Sequence, residues 1–147
     1  MIACLRAATA VDLPAIRALI REVGINPLGL DWRRFLLAVD RDGRLLACGQ
    51  IKPHRDGSRE LASIAVVPDQ RGRGLALAVI SALLAQQPPP LWLTCMAGLA
   101  PFYEPFGFRR IEDPTQMAPY YRRLTHLAAL FMTLSRGAEP LAVMKWG

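Results

Sequence analysis

At 147 residues, 52% hydrophobic and 20% charged, the chain has the length and balance of one globular domain, which argues against a disordered or fibrous class. Its longest apolar stretch, residues 75–85, is interrupted by Ser81 and falls far short of the roughly 20 residues that span a bilayer. The net charge of +6 is almost all arginine, scattered without a dense block and with lysine only at Lys52 and Lys145, so charge alone specifies no nucleic-acid surface.

The first ten residues carry charge only at Arg6 and lack the basic flank and apolar core of a leader, so a cytoplasmic protein is expected. Three widely spaced cysteines, no C-x-x-C pair and only His54 and His126 as histidines support neither a disulfide framework nor a metal site.

Residues 2–7 read as a first strand. Asp12 is a natural N-cap for a helix running to Val23, with Pro14 in its first turn and Gly24 as its stop. After a turn-rich loop at Asn26-Pro27-Leu28-Gly29 comes a strand over 35–39. Asp40-Arg41-Asp42-Gly43 is a hairpin signal, which predicts an antiparallel return over 45–53. Residues 54–59 form a polar loop, and His54 and His126 read as surface or loop residues. Residues 60–67 are apolar on both faces after Glu60, as in a central strand. Leu75, Val79 and Leu83 recur at i, i+4 and mark a helix. A strand over 91–95, a short helix over 100–106 ended by Gly107, a strand over 108–111, a helix over 120–134 and a strand over 141–146 follow. This order predicts a single domain over 1–147 in the α/β (α+β) class, with one mixed, mostly antiparallel sheet flanked by helices.

The most informative segment is Arg71-Gly72-Arg73-Gly74-Leu75-Ala76, where a buried strand turns into a long helix. Such a junction aims unpaired amides and the positive end of the helix dipole at one point, and this favours an anion. Glycines let a phosphate approach the backbone, and the two arginines add charge. Gly74 is followed by Leu75 rather than by Lys-Ser/Thr, which excludes a Walker A loop. A dinucleotide loop would need a third glycine where Leu77 stands and an acid about 20 residues on, but no Asp or Glu occurs between Asp69 and Glu104. A turn that binds nothing stays open on these residues alone.

The segment resembles the Arg/Gln-x-x-Gly-x-Gly/Ala signature of the GNAT superfamily of N-acetyltransferases. Ala100-Pro101-Phe102-Tyr103-Glu104-Pro105-Phe106-Gly107-Phe108 is similar to that superfamily's Ala-x-x-Phe-Tyr-x-x-x-Gly-Phe stretch. The run from Glu60 to Val66 resembles bacterial amino-acid acetyltransferases of the N-acetylglutamate synthase kind. The resemblance implies splayed central strands, acetyl-CoA as co-substrate without a metal, and a small-molecule amine as acceptor. It further implies that backbone at Ile64, Ala65 and Val66 pairs with the thioester arm, while Arg71, Gly72, Arg73, Gly74, Leu75 and Ala76 hold the pyrophosphate. Ile64 N–H is then the oxyanion donor.

The resemblance also implies that Tyr103 supplies the proton to the departing thiolate and Glu60 acts as base, directly or through water. The plain alternatives are a packed aromatic at Tyr103 and a strand-end ion pair of Glu60 with Arg59 or Arg55. Gln50, Lys52 and His54 alternate along their strand, so all three are expected on one face; if that face borders the acceptor cleft, Gln50 and Lys52, with Arg122 or Arg123, form a candidate clamp for an acceptor carboxylate. The family's asparagine after the fifth strand is replaced by Thr94-Cys95-Met96-Ala97, so that contact is unassigned, and Cys95 reads as a packed thiol. A protein or peptide acetyltransferase and a non-catalytic acetyl-CoA-binding module remain as alternatives. No membrane and no nucleic-acid partner is expected, and a homodimer is left open.

Overall fold

The structure is a computed structural model that describes residues 3–134 and 139–147. Seven strands take the order β1-β2-β3-β4-β5-β7-β6 in one mixed sheet. They are β1 (Cys4–Ala7), β2 (Phe35–Val39), β3 (Leu45–Pro53), β4 (Arg59–Val66), β5 (Leu91–Met96), β6 (Phe108–Arg110) and β7 (Leu141–Trp146). The helices are α1 (Leu13–Val23), α2 (Leu75–Ala85), α3 (Ala100–Tyr103) and α4 (Pro119–Leu134). The fold is the expected α/β arrangement with a mostly antiparallel sheet. The predicted strand position at Ile2 lies outside the described residues. By packing, the chain divides into two compact units, Met1–Lys52 with Leu61–Gln87, and Pro53–Glu60 with Pro88–Gly147.

In the first unit β1, β2 and β3 pair antiparallel, Arg6 opposite Leu37 and Leu37 opposite Cys48. The hairpin closes through the Gly43 amide on the Asp40 carbonyl at 3.1 Å, with Gly43 at φ 81°, a left-handed conformation that glycine adopts without strain. Gly24 ends α1 in the same conformation, φ 75°, its amide returning to the carbonyls of Ile20 and Arg21. Asp12 is the N-cap residue of α1, as expected, but its side chain makes no capping hydrogen bond to that helix. It lies in the 3-10 turn Ala10–Asp12, accepts from the Thr9 amide at 2.7 Å and meets both terminal nitrogens of Arg6 at 2.8 and 2.9 Å. Ile16, Leu19 and Ile20 of α1 pack with Phe35, Leu37, Val39, Cys48 and Ala65 of the sheet. Gly49 has a packing reason: a Cβ there would lie 2.6 Å from the Ile64 side chain and 2.9 Å from that of Val79.

In the second unit β5 pairs antiparallel with β7 from Leu91 opposite Trp146 to Met96 opposite Leu141, and β6 joins the far side of β7. Glu60, at the start of β4, registers in parallel with Trp92. Trp92, Ile111, Met117, Tyr121 and Val143 form the core, and the Trp92 and Tyr121 rings stack at 4.9 Å. No helix among the described residues is long and apolar enough to cross a membrane.

Candidate functional site

In the first unit β4 leaves the sheet through a 3-10 turn, Pro68–Gln70, and reaches α2 at residue 75. Gly72 and Gly74 have φ 79° and 77°, and no heavy atom lies within 4 Å of where a Cβ would sit on either. Gly74 is the N-cap residue and brings no side chain to the first-turn amides of α2. Those amides are left for an outside acceptor, and the helix dipole adds to their positive potential. Arg71 and Arg73 are exposed on the same turn. Among the described residues neither makes an ion pair. The turn has the donors, the charge and the open backbone that a pyrophosphate requires. Among the described residues there is no cluster of three or more His, Cys, Asp or Glu side chains arranged to hold a metal ion.

Ile64, Ala65 and Val66 lie on β4 of the same unit, preceded by Ser63 at φ 59°. Ala65 is buried and Ile64 packs over Gly49. Sequence reasoning leaves Ser63 unassigned, because nothing in a serine flanked by apolar residues signals a left-handed backbone. The expected clamp residues are tied to the scaffold. Gln50 is fully buried, its Nε2 donating to Ser63 Oγ at 2.8 Å and to the Gly29 carbonyl at 3.3 Å. Lys52 Nζ donates to the Leu28 carbonyl at 3.1 Å. In the second unit Arg122 donates through Nε to Pro114 and through one terminal nitrogen to Met117, both carbonyls at 3.1 Å, while Arg123 is exposed.

Glu60 belongs to the second unit and is only 7% exposed. Its Oε1 lies 2.7 Å from His54 Nε2, and Thr94 donates to its Oε2 at 3.3 Å. A buried carboxylate needs such partners, because burial without them costs several kcal/mol. Its neighbour Arg59 donates to the carbonyls of Pro88 and Pro90. His54 lies in the turn after β3, as expected of a loop residue, but it is not at the surface. Its side chain is 11% exposed, and its ring stacks on Tyr120 at 3.6 Å with planes 18° apart.

Tyr103, at the end of α3, meets Phe102 and Phe108 edge-on at 5.0 and 6.2 Å. Burial first, and then the neighbouring Cys95 thiol, push its phenol up to about 12. Among the described residues nothing hydrogen-bonds its hydroxyl, so it is a protonated group with a free donor. Burial also raises the Cys95 thiol, which keeps it neutral and unsuited to nucleophilic work.

The acetyltransferase (GNAT) domain family model matches residues 31–110. No curated protein matches the sequence. Among solved structures, N-acetylglutamate synthase from Neisseria gonorrhoeae, complexed with coenzyme A and N-acetyl-glutamate, superposes with TM-score 0.73 at 19% identity over 99% of this chain, which spans 35% of that one. Rv2747 from Mycobacterium tuberculosis, solved in complex with CoA, gives 0.70 at 22% identity over 97% of this chain and 98% of that one. The ribosomal-protein-S18-alanine N-acetyltransferase from Escherichia coli gives 0.69 at 20% identity over 99% and 93%. At these identities the likeness speaks for the fold.

Proposed function

Since the chain belongs to the acetyltransferase (GNAT) domain family, we propose that it transfers the acetyl group of acetyl-CoA to the amine of a small molecule such as an amino acid. The observation that carries this reading is the turn over residues 71–76, with two left-handed glycines open to solvent and an uncapped helix start. Its amides, with Arg71 and Arg73, bind the pyrophosphate. Backbone at Ile64, Ala65 and Val66 aligns the thioester, with Ile64 N–H facing the oxygen on which charge develops.

Proton accounting assigns the side chains. An amine arrives as ammonium and must lose a proton before it can attack the thioester carbon. Glu60, buried and held by His54 and Thr94, accepts that proton directly or through one water. The C–N bond then forms, the C–S bond breaks, and the Tyr103 phenol gives its proton to the departing thiolate. The phenol recovers a proton from the attacking nitrogen or from solvent.

A small acceptor is favoured by the likeness of residues 60–66 to amino-acid acetyltransferases. Lys52 spends one of its ammonium protons on Leu28 and keeps two for a carboxylate. The test is CoA release from acetyl-CoA with free amino acids, their carboxamides and short peptides as acceptors. Activity on free amino acids that is lost on amidation supports the reading. Activity on peptides alone makes the protein a peptide acetyltransferase, and CoA binding without turnover on any acceptor makes it a binding module.

A further inference from the structure

His54 is fixed more firmly than a turn residue needs to be. Its amide donates to the Ser58 carbonyl at 2.9 Å and its carbonyl accepts from the Gly57 amide at 3.1 Å, which closes the turn between β3 and β4. Its ring is stacked on Tyr120, and Tyr121 meets it edge-on at 5.9 Å with planes 84° apart. The same turn is tied to α4, because the Tyr120 amide donates to Asp56 Oδ2 at 2.9 Å. An imidazole held on its face by a phenol and at its tip by a carboxylate has little rotamer freedom left.

The arrangement divides the two oxygens of Glu60. Oε1 is occupied by His54 Nε2 at 2.7 Å, while Oε2 has only the longer Thr94 contact at 3.3 Å. A carboxylate offers about four acceptor positions, so the weakly occupied oxygen is the one with capacity for a further proton donor. A carboxylate acts only as acceptor when ionised, which requires the proton of the short contact to sit on Nε2.

We propose that His54 is the positioning residue for Glu60: its Nε2–H holds Oε1 and so presents Oε2 as the oxygen that takes the acceptor's proton. This rests on Glu60 being the base. The groups that face the imidazole are Glu60 and Asp56 from its own hairpin and Tyr120 and Tyr121 from α4, with Thr94 of β5 on the far side of the carboxylate. Glu60 is the one placed to accept from Nε2 at hydrogen-bond distance. A purely structural pair would serve the stability of the hairpin and leave kcat untouched.

The experiment compares His54→Ala, His54→Phe, His54→Gln, Glu60→Gln and the double variant H54A/E60Q. Turnover is read as CoA release with a mixture of free amino acids as acceptor, acetyl-CoA affinity by calorimetry and folding by thermal melting. H54A and H54F are expected to lower kcat about tenfold or more with acetyl-CoA affinity within about twofold of wild type. His54→Gln, whose amide can donate to Oε1, is expected to recover most of the loss, and H54A in the E60Q background to add less than about twofold. Wild-type kcat in H54A and H54F, or a full extra loss in the double variant, overturns the positioning role and leaves the base reading intact. Wild-type turnover in E60Q overturns the base reading and the positioning role with it. A second readout needs no acceptor: nitrogen NMR of histidine-labelled protein is expected to find His54 protonated at Nε2 near neutral pH, with the signal altered in E60Q. A bare Nε2 with the proton on Nδ1 overturns the proposal.

Discussion

Gln50 donates its side-chain amide to Ser63 Oγ at 2.8 Å, and Ser63, at φ 59°, is the one non-glycine residue with positive φ among those described. The left-handed region costs a side-chain-bearing residue about 1 kcal/mol or more. Cys48, two residues before Gln50 on β3, adds an Sγ contact to the Ser63 carbonyl at 3.5 Å. Two side chains from one face of β3 thus hold a strained residue one position before Ile64.

This relationship reverses the ordinary ranking of glycine and alanine in a strand. Ser63→Ala loses the hydrogen bond and keeps the strain, whereas Ser63→Gly loses the same bond and relieves it. Glycine is therefore expected to be the milder change by about 1 kcal/mol. Urea unfolding of both variants decides, and a milder alanine would show that position 63 is not left-handed in solution.

The pairing of Arg6 with Asp12 gives a pH signature. The Arg6 guanidinium first, opposed by burial and aided by the Thr9 amide, holds the Asp12 carboxyl well below the usual carboxylate range. A folded-state value below the unfolded value of about 3.9 contributes stability above about pH 4 that is lost as pH falls further. Arg6 is 38% exposed on its side chain, so solvent screening limits the effect to about 1 kcal/mol. Asp12→Asn is expected to lower unfolding free energy by about that amount at pH 7 and by less at pH 3, the difference narrowing further toward pH 2. Equal losses at both pH values would mean that the pair does not form.

The elements with strong local signals were legible in the sequence. The hairpin at Asp40-Arg41-Asp42-Gly43, the stop at Gly24 and the turn into α2 each depend on a glycine whose left-handed conformation little else tolerates, and β2, β3 and β7 have the expected bounds. Asp12 was legible as the N-cap position of α1, but the partners of its carboxylate were not, because Arg6 and the Thr9 amide draw it to the preceding turn rather than to the helix. His54 was legible as a polar loop residue in line with Gln50 and Lys52, but not as a partner of Glu60. Its contact with Glu60 depends on how the turn over 54–58 closes and on α4 bringing Tyr120 from more than sixty residues away. Gln50 and Lys52 do alternate as expected, but what they touch is set by the loop at Leu28 and Gly29 and by the φ of Ser63, and none of these is a property of the strand's own pattern.

Gly74→Asp places a carboxylate at the helix start where the pyrophosphate is proposed to bind, in open space according to the local geometry. CoA affinity by calorimetry is expected to fall more than about tenfold through charge repulsion and lost backbone access. Gly74→Ala controls for the backbone: at φ 77° it costs roughly 1 kcal/mol of stability but adds no charge, and it is expected to weaken CoA less. Unchanged CoA affinity in the aspartate variant would remove the turn from the site.

Tyr103→Phe separates catalysis from packing, because it removes the hydroxyl and keeps the ring against Phe102 and Phe108. Turnover is expected to fall by ~10² with acetyl-CoA affinity nearly unchanged, as for a group that acts only when the thiolate leaves. Burial pushes the phenol up to about 12, so it stays protonated across ordinary assay pH, and no alkaline loss of activity below about pH 10 belongs to it. The raised value also fixes the sign of a stability effect. The folded state holds this proton more tightly than the unfolded chain, whose phenol titrates near ~10. The contribution is complete below about pH 10 and is lost as pH rises from there to about 12. Denaturant titrations at pH 8 and 11 are therefore expected to show a smaller alkaline loss of stability in the phenylalanine variant than in wild type. Equal losses in both would place the Tyr103 phenol in contact with water, and a proton donor exposed in that way would not need the desolvated setting that α3 and β6 provide.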